Sequence, residues 1–423
     1  MALFRNTREG APFAGNADGR RAITRRGLFK GIGATTAVAV VAASLDGCKN
    51  ASNGSGDPVV VDSESADYVI DPNTNENKFS YDESSLSPTH TWNIALGSVL
   101  RPGGGDTWIP VTTAGSSANP PVKASALAIT TGKLAEVVSE PHTKDADNVV
   151  IYEACCSDSV YAWVEINLLD RGWHLYAARF SDGALTGDIS TLWEASADYD
   201  PPQIACSDSR VFWLVMPNAT GGKSTEHSFC YAWKAGGSSA DAIVESAGRF
   251  GAPLAVSDDV LTLVPRVKGD KGTYYGITAY DLSDGYKQLD QLILPASVKP
   301  LSAVRMGDKF AFSIEANYAS GGLLGNMGSY IGSADGPFVA LSREPSAQIA
   351  GKGSRYFIKS SSSYFVVDTD KRSYSILAAT NRSLDYGEYP SSVGTTSRFV
   401  TFCTVKAEDT GYPSTVVVRA FDL

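Results

Sequence analysis

Asp158, Asp208, Asp258 and Asp308 stand at equal intervals of 50 residues, each in a short polar turn between two apolar runs. The clearest copies read Ala154-Cys155-Cys156-Ser157-Asp158-Ser159-Val160, Ile204-Ala205-Cys206-Ser207-Asp208-Ser209-Arg210 and Leu254-Ala255-Val256-Ser257-Asp258-Asp259-Val260. Chance rarely gives three equal intervals, and a fixed period of this length means successive copies of one supersecondary unit. Weaker copies put the turn at Asp106, Ser354 and Ser397, at intervals of 52, 46 and 43, which makes seven turns.

The run after each turn is rich in β-branched and aromatic residues: Tyr161 to Ile166, Val211 to Val215, Val260 to Val264, Phe310 to Ile314, Tyr356 to Ile358 and Phe399 to Cys403. A second marker follows in four units, at Thr131-Gly132, Asp182-Gly183, Asp284-Gly285 and Asp335-Gly336. Such pairs supply the positive φ of a tight hairpin. Each unit thus holds four short strands and two tight turns, and the body shows hardly any helical period.

Four strands in 43 to 52 residues is the pattern of a β-propeller blade. The expected fold is all-β: a propeller of seven four-stranded blades, with six or eight as alternatives. The seventh unit has three evident strands, the last running from Thr415 to Leu423. An N-terminal strand, Tyr68 to Ile70 or Phe79 to Tyr81, is expected to complete it and remove the open edges. Trp163 and Trp213 hold equivalent places and are expected between neighbouring blades.

Composition bounds the partners. The 423 residues are 43% hydrophobic, 10% aromatic and 19% charged, unlike a disordered acidic chain. Residues 48–423 carry 29 basic against 43 acidic side chains, which disfavours a nucleic-acid partner because phosphate neutralisation needs a basic surface.

Near the N-terminus, Thr24-Arg25-Arg26-Gly27-Leu28-Phe29-Lys30 precedes an uncharged run from Gly31 to Leu45. That run is shorter than the roughly 20 residues a spanning helix needs. The motif resembles a twin-arginine export signal, which implies recognition of Arg25 and Arg26 by the twin-arginine translocase and export of an already folded body. Leu45-Asp46-Gly47-Cys48 resembles a lipobox, with Asp46 where the family has a small or apolar residue. Lipidation of Cys48 would hold the protein at the outer face of the bacterial cytoplasmic membrane. Without it the protein would be secreted. The chain then divides into a signal peptide (1–47), a flexible tether rich in Ser, Gly, Asn and Asp (48–66) and the propeller (67–423). Any disulfide would form after transport. Of six cysteines, five remain without Cys48, so at least one is unpaired within the chain.

Ala279-Tyr280-Asp281-Leu282-Ser283-Asp284-Gly285 resembles the third-strand turn of quinoprotein-type and YVTN-type repeats, a likeness at superfamily level because the docking tryptophans are missing. Some quinone-dependent dehydrogenases of that group carry a vicinal disulfide, which draws attention to Cys155-Cys156. The repeat favours a plainer role, small packing residues on an inner strand, since Cys206 and Val256 occupy the register of Cys156. The four histidines are scattered without metal-ligand spacing, and neither a metal nor a cofactor is expected.

By analogy with other propellers, ligands are expected where blade-to-blade connections and second-to-third strand loops converge. Two such loops combine acids and aromatics, Asp198-Tyr199-Asp200 and Asp385-Tyr386-Gly387-Glu388-Tyr389, joined by Trp173, Tyr318 and Tyr412. Tyrosine offers stacking area with a polar handle, which suits a carbohydrate, a peptide or a surface protein. The expected function is a membrane-anchored binding or scaffolding module. The alternative is a surface enzyme, either a glycan or peptide hydrolase using paired rim carboxylates or a quinone-type oxidoreductase.

Overall fold

The polar turns that set the sequence period are hairpins joining the first and second strands of successive sheets. Asp208, Asp258 and Asp259 adopt φ of 47°, 50° and 56°, a left-handed conformation that Asp tolerates because its short side chain bonds locally. In the next two sheets Gly307 and Gly353 take this place, at φ of 61° and 58°. The hairpins are flanked by the pairs Ser257↔Val260 and Met306↔Lys309. Gly307 is therefore the equivalent of Asp258, and Asp308 matches Asp259. The fourth member of the even series is one residue out of structural register.

The computed structural model describes residues 66–114, 121–143, 148–220, 226–269, 272–295, 298–315 and 327–423. Six sheets are antiparallel meanders with four strand positions, each from one contiguous stretch, the second position of sheet 4 being split into Val260–Leu263 and Arg266–Gly269, which both pair with Gly272–Asp281. Sheet 1 runs from Ser98–Leu100 to Leu134–Val138, sheet 2 from Val149–Cys156 to Ala184–Ala195 and sheet 3 from Ile204–Ser207 to Asp241–Ser246. Sheet 4 runs from Ala255–Ser257 to Lys287–Ile293, sheet 5 from Pro300–Met306 to Val339–Leu341 and sheet 6 from Ala350–Lys352 to Ser373–Leu377. A seventh sheet combines Tyr389–Pro390, Arg398–Lys406 and Pro413–Asp422 with His90–Ile94. The chain is an all-β β-propeller, with six blades built from contiguous stretches and a further sheet drawn from both ends of the described chain.

The strand beside Pro413–Asp422 is His90–Ile94, paired from His90↔Ala420 to Ile94↔Val416. This corrects the expectation of Tyr68 to Ile70 or Phe79 to Tyr81 in that place. Asp67–Tyr68 instead adds in parallel to the outer edge of sheet 5, and Ser80–Tyr81 to that of sheet 6. The cause is burial: Val69 and Phe79 sink into the cluster between sheets 5 and 6 with Ile331, Ile349 and Tyr374. Arg372 fastens this strap, pairing with Asp67 and lying 4.6 Å from the centre of the Phe79 ring.

The central strands are covered on both faces, as Val160–Asn167 is, where the apolar run from Val160 to Val164 leads into Glu165, itself buried and accepting from the amides of His142 and Thr143. Apolar clusters fill the space between successive sheets. Tyr161 and Trp163 belong to the cluster of sheets 1 and 2, Trp173 and Trp213 to that of sheets 2 and 3. Phe212 and Leu261 join sheets 3 and 4, Ile277 and Phe310 join sheets 4 and 5. Phe357 stacks on Phe399 at 4.1 Å between sheets 6 and 7, and Ile109 meets Val418 between sheets 7 and 1. Trp163 and Trp213 are each fully buried in successive interfaces. Each such side chain contributes roughly 1.5–3 kcal/mol by leaving water.

This topology gives the propeller two unlike ends. The turn end carries the first-to-second and third-to-fourth strand hairpins. The connection end carries the second-to-third strand loops and the links from sheet to sheet.

Candidate functional site

At the turn end the Asp hairpins of sheets 2, 3 and 4 converge on a cavity of about 400 Å³, within the size range of small-ligand sites. Its lining includes Asp106, Asp158, Asp208, Asp258 and Asp259, several serines and Arg398. Two straps complete it. The first is Gly103 to Asp106, in the first hairpin loop of sheet 1. Gly104 donates its amide to Cys156 O at 2.7 Å, and a Cβ on it would lie 1.6 Å from Cys206 O. Only glycine lets the backbone come this close. Thr107 ties the strap to sheet 2 by donating Oγ1 to Asp158 Oδ2 at 3.1 Å.

The second strap is Ser391 to Arg398, between the first two strands of the seventh sheet. Gly394–Thr395 leaves that sheet and pairs in parallel with Ala350–Lys352 of sheet 6. Thr395 reaches sheet 4, donating its amide to Ser257 Oγ at 2.9 Å and its hydroxyl to Asp258 Oδ2 at 2.5 Å. Gly394 packs against Ser257 and Val304, and Asp308 is absent from the cavity lining. On the other side, Ser157 and Ser159 both donate to Asp208 O, lacing the hairpins of sheets 2 and 3.

Reading the Asp turns only as blade punctuation misses this cavity. The available signal is the even spacing itself, because equivalent hairpins of successive blades lie at the same end of the fold.

The residues expected from sequence to form a ligand site lie at the connection end and fall into two groups. In the first, Trp173 is fully buried and donates Nε1 to Tyr199 O at 3.1 Å, so it props the loop from beneath. Asp200 accepts from Arg249 at 2.5 Å, and Asp198 bonds Ser196 beside it. Tyr199 is exposed. In the second group, Asp385, Tyr386 and Tyr389 are exposed, as is Tyr412 on the neighbouring loop. Glu388 is not: it is 1% exposed, accepts from Arg419 at 2.7 Å and takes further hydrogen bonds from Thr380 and Thr401. Tyr318, Arg25, Arg26 and Cys48 lie outside the described residues.

Lys359 lies beneath the second group, donating to Ser361 O and Tyr386 O at 2.6 Å and lying 5.0 Å from the centre of the Tyr389 ring. Burial lowers its ammonium to about 8, against the opposing pull of Glu388. Asp200 and Glu388 are thus each occupied by an arginine, which leaves Asp198 and Asp385 as the outward-facing acids of the two loops.

Cys155 is bonded to Cys206, not to Cys156. The vicinal arrangement that drew attention to a redox role is absent here. Cys156 is a buried thiol, as are Cys230 and Cys403. Burial, followed by the nearby Asp158 carboxylate, pushes the Cys156 thiol well above its ordinary range.

No protein-family model matches the chain, and no curated protein matches it. Solved structures do. The β-propeller domain of the Trilobed protease from Pyrococcus furiosus is 9% identical, with a TM-score of 0.49 over 76% of this chain and 95% of that one. A prolyl endopeptidase is 11% identical, with a TM-score of 0.45 over 79% of this chain and 47% of that one, so the match spans about half of its length. Oligogalacturonate lyase from Vibrio parahaemolyticus is 8% identical, with a TM-score of 0.43 over 80% of this chain and 98% of that one. At these identities the likeness concerns the fold alone.

Proposed function

We propose that this chain is an exported propeller, anchored through Cys48 at the outer face of the bacterial cytoplasmic membrane, and that it works as a binding module. The observation that carries the reading is the surface of the connection end. Leu168, Leu169, Tyr199, Leu384, Tyr386 and Tyr412 are all exposed there, three of them strongly, with Leu169 at 76%, Tyr386 at 71% and Tyr412 at 75%. Exposed apolar and tyrosine side chains on several loops at one end of the fold suit a macromolecular partner such as a surface protein, peptide or glycan. The Cys155–Cys206 bond supports export, because disulfides persist in oxidising compartments.

The composite seventh sheet supports a closed, seven-bladed ring, in which the ladder from His90 to Ile94 ties the N-terminal part of the body to its last strand. Closure of this kind leaves no open sheet at the seam.

Cell-surface pull-down and glycan-array screening with the chain from Lys49 to Leu423 test the binding reading. Capture of a defined partner without turnover, lost in the double variant Tyr386→Ser/Tyr412→Ser, is the expected result. Formation of a cleaved product would favour a hydrolase. Mass spectrometry of the membrane-bound protein is expected to find a diacylated Cys48, and an unmodified N-terminus beyond it would overturn the anchor.

A further inference from the structure

We propose that the N-terminal strap exchanges between two copies of this chain, so that Asp67 to Asp82 of one copy closes the outer edges of sheets 5 and 6 of the other. The pairing is independent of the connection-end surface and of the membrane anchor. The edges that receive the strap differ from those of the preceding blades. In sheets 1 to 4 the ladder between the third and fourth strands carries at least one register shift, between Ala124 and Ser125, Leu175 and Tyr176, Cys230 and Tyr231, and Ala279 and Tyr280. Such irregularities twist an edge away from further pairing. The corresponding ladders of sheets 5 and 6 run without a shift, from Ser329↔Leu341 to Ile331↔Val339 and from Tyr364↔Leu377 to Asp368↔Ser373. Their outer carbonyls are the ones the strap fills. The amides of Asp67 and Val69 donate to Phe338 O and Ala340 O at 2.8 and 2.9 Å, and those of Ser80 and Asp82 donate to Arg372 O and Tyr374 O, both at 2.9 Å. A regular edge of this kind accepts the matching strand from its own copy or from another.

A second observation concerns the strap itself, which is closed by its own hydrogen bonds. Asp71 donates its amide to Glu76 O at 2.8 Å, and Lys78 and Phe79 both donate to Val69 O at 3.1 Å. It can therefore move as a formed unit. Beyond it, among the described residues, Glu83 to Pro88 make no hydrogen bond to any sheet, the amide of Leu86 donating only to Ser84 Oγ. Pairing resumes where Thr89 donates its amide to Ala420 O. These six residues end in a proline, which has no amide to donate. Extended, they span roughly 20 Å, enough to carry the strap from its own blade edge to that of a copy alongside.

The contacts that seat the strap are the same in either arrangement. Val69 and Phe79 enter the cluster of sheets 5 and 6, Tyr374 donates its hydroxyl to Asn77 Oδ1 at 2.9 Å, and Arg372 pairs with Asp67. Concentration and the hinge therefore decide between the two forms. A short linker holds its segment at an effective concentration of about 1 mM, so exchange sets in as the chain approaches that value. Weakening the strap on its own body, but not on the partner's, shifts the balance towards the pair.

Asp67 and Arg372 supply the test, because their ion pair joins strap to body. Asp67→Arg and Arg372→Asp each set like charges against one another within one copy. Aspartate accepts the left-handed φ of 52° at position 372. In an exchanged pair made from one copy of each variant, both opposite-charge contacts return, each worth about fivefold in the equilibrium. Native mass spectrometry of the two full-length variants mixed at about 0.1 mM, a tenth of the effective concentration, is expected to show a one-to-one dimer. Each variant alone, and the double variant Asp67→Arg/Arg372→Asp, should remain monomeric. A mixture of folded variants that stays monomeric would overturn exchange, and so would a dimer formed equally well by either variant alone. If a variant does not fold, the parent decides, with isotope-labelled and unlabelled copies mixed at about 1 mM and cross-linked through Lys78 on the strap and Lys371 on the body, whose side chains are both exposed. Cross-links from a labelled strap to an unlabelled body are expected. Cross-links confined to single copies overturn the proposal.

Discussion

Cys155 and Cys206 are joined by a disulfide across the innermost strands of sheets 2 and 3, with their Cα atoms 5.9 Å apart and a separation of 51 positions in sequence. The bond closes a loop nearly one sequence period long, and both sulfurs lie in the cluster that packs these sheets together. A cross-link over such a loop restricts the unfolded chain and contributes about 2–4 kcal/mol. Cys206→Ser is therefore expected to lower unfolding stability by that amount. Denaturant titration with and without reductant checks it: the parent should lose the same increment under reductant, and the variant should not respond.

The buried pair Glu388–Arg419 gives a second expectation. Glu388 is shielded from water and its carboxylate depends on Arg419 and on Thr380 and Thr401. Removing one member of a buried pair leaves an uncompensated charge, at a cost of about 3–5 kcal/mol. Arg419→Leu should show this loss in chemical denaturation. A loss below about 1 kcal/mol would mean that Glu388 turns out to solvent and is available for ligands.

How legible the chain was follows from which contacts are local. The Ser-Asp hairpins could be read directly because turn chemistry is set by two or three adjacent residues. The register slip at Asp308 could not, since Gly307 satisfies the same backbone demand with a different side chain. Tyr68 to Ile70 and Phe79 to Tyr81 were the expected closing strands, and Val69 and Phe79 within them are apolar. That same apolarity draws them into the cluster of sheets 5 and 6, which no local pattern shows. Likewise the tyrosine-rich loops stood out by composition, while the acid-lined cavity depends on Gly104 meeting Cys206 and Thr395 meeting Asp258, contacts between distant parts of the chain.

The proposed closure through the composite sheet predicts strong dependence on the strand His90–Ile94. Deleting the described chain through Ala95 removes a five-residue ladder, uncovers Val416 and Val418 and takes away Ile94, which is buried with them. The expected loss is at least about 3 kcal/mol. Thermal melting of the truncated chain checks it, and an unchanged transition would count against closure at this seam.

Gly104 offers a test of the first strap. A methyl group there would fall 1.6 Å from Cys206 O, inside any permitted contact and against backbone that cannot rotate away. Gly104→Ala should force the strap off sheet 3 and cost about 1–3 kcal/mol. Chemical denaturation of the variant checks it. An unchanged midpoint would mean that the strap moves aside without cost.

Lys359 supplies the expected pH dependence. Its ammonium is held at about 8 in the folded protein, below its ordinary value of 10.5, chiefly by burial and against the opposing pull of Glu388. Between these values the unfolded chain holds a proton that the folded chain has released, so stability rises with pH across that window. Below pH 8 both states are protonated and this group adds no slope. Above about pH 10 the buried phenol of Tyr364, raised by its own desolvation, acts in the opposite sense because the unfolded tyrosine ionises first. The thiols of Cys156, Cys230 and Cys403, raised chiefly by burial, oppose the lysine in the same way from about pH 8.5. The Lys359 component is therefore the difference in stability between the parent chain and Lys359→Met, which should rise between pH 7.5 and 10 when both are measured by denaturant. In Lys359→Met this component should be absent, while the curve below pH 8 keeps its shape. A variant curve that runs parallel to the parent's across this window would place the titrating group elsewhere.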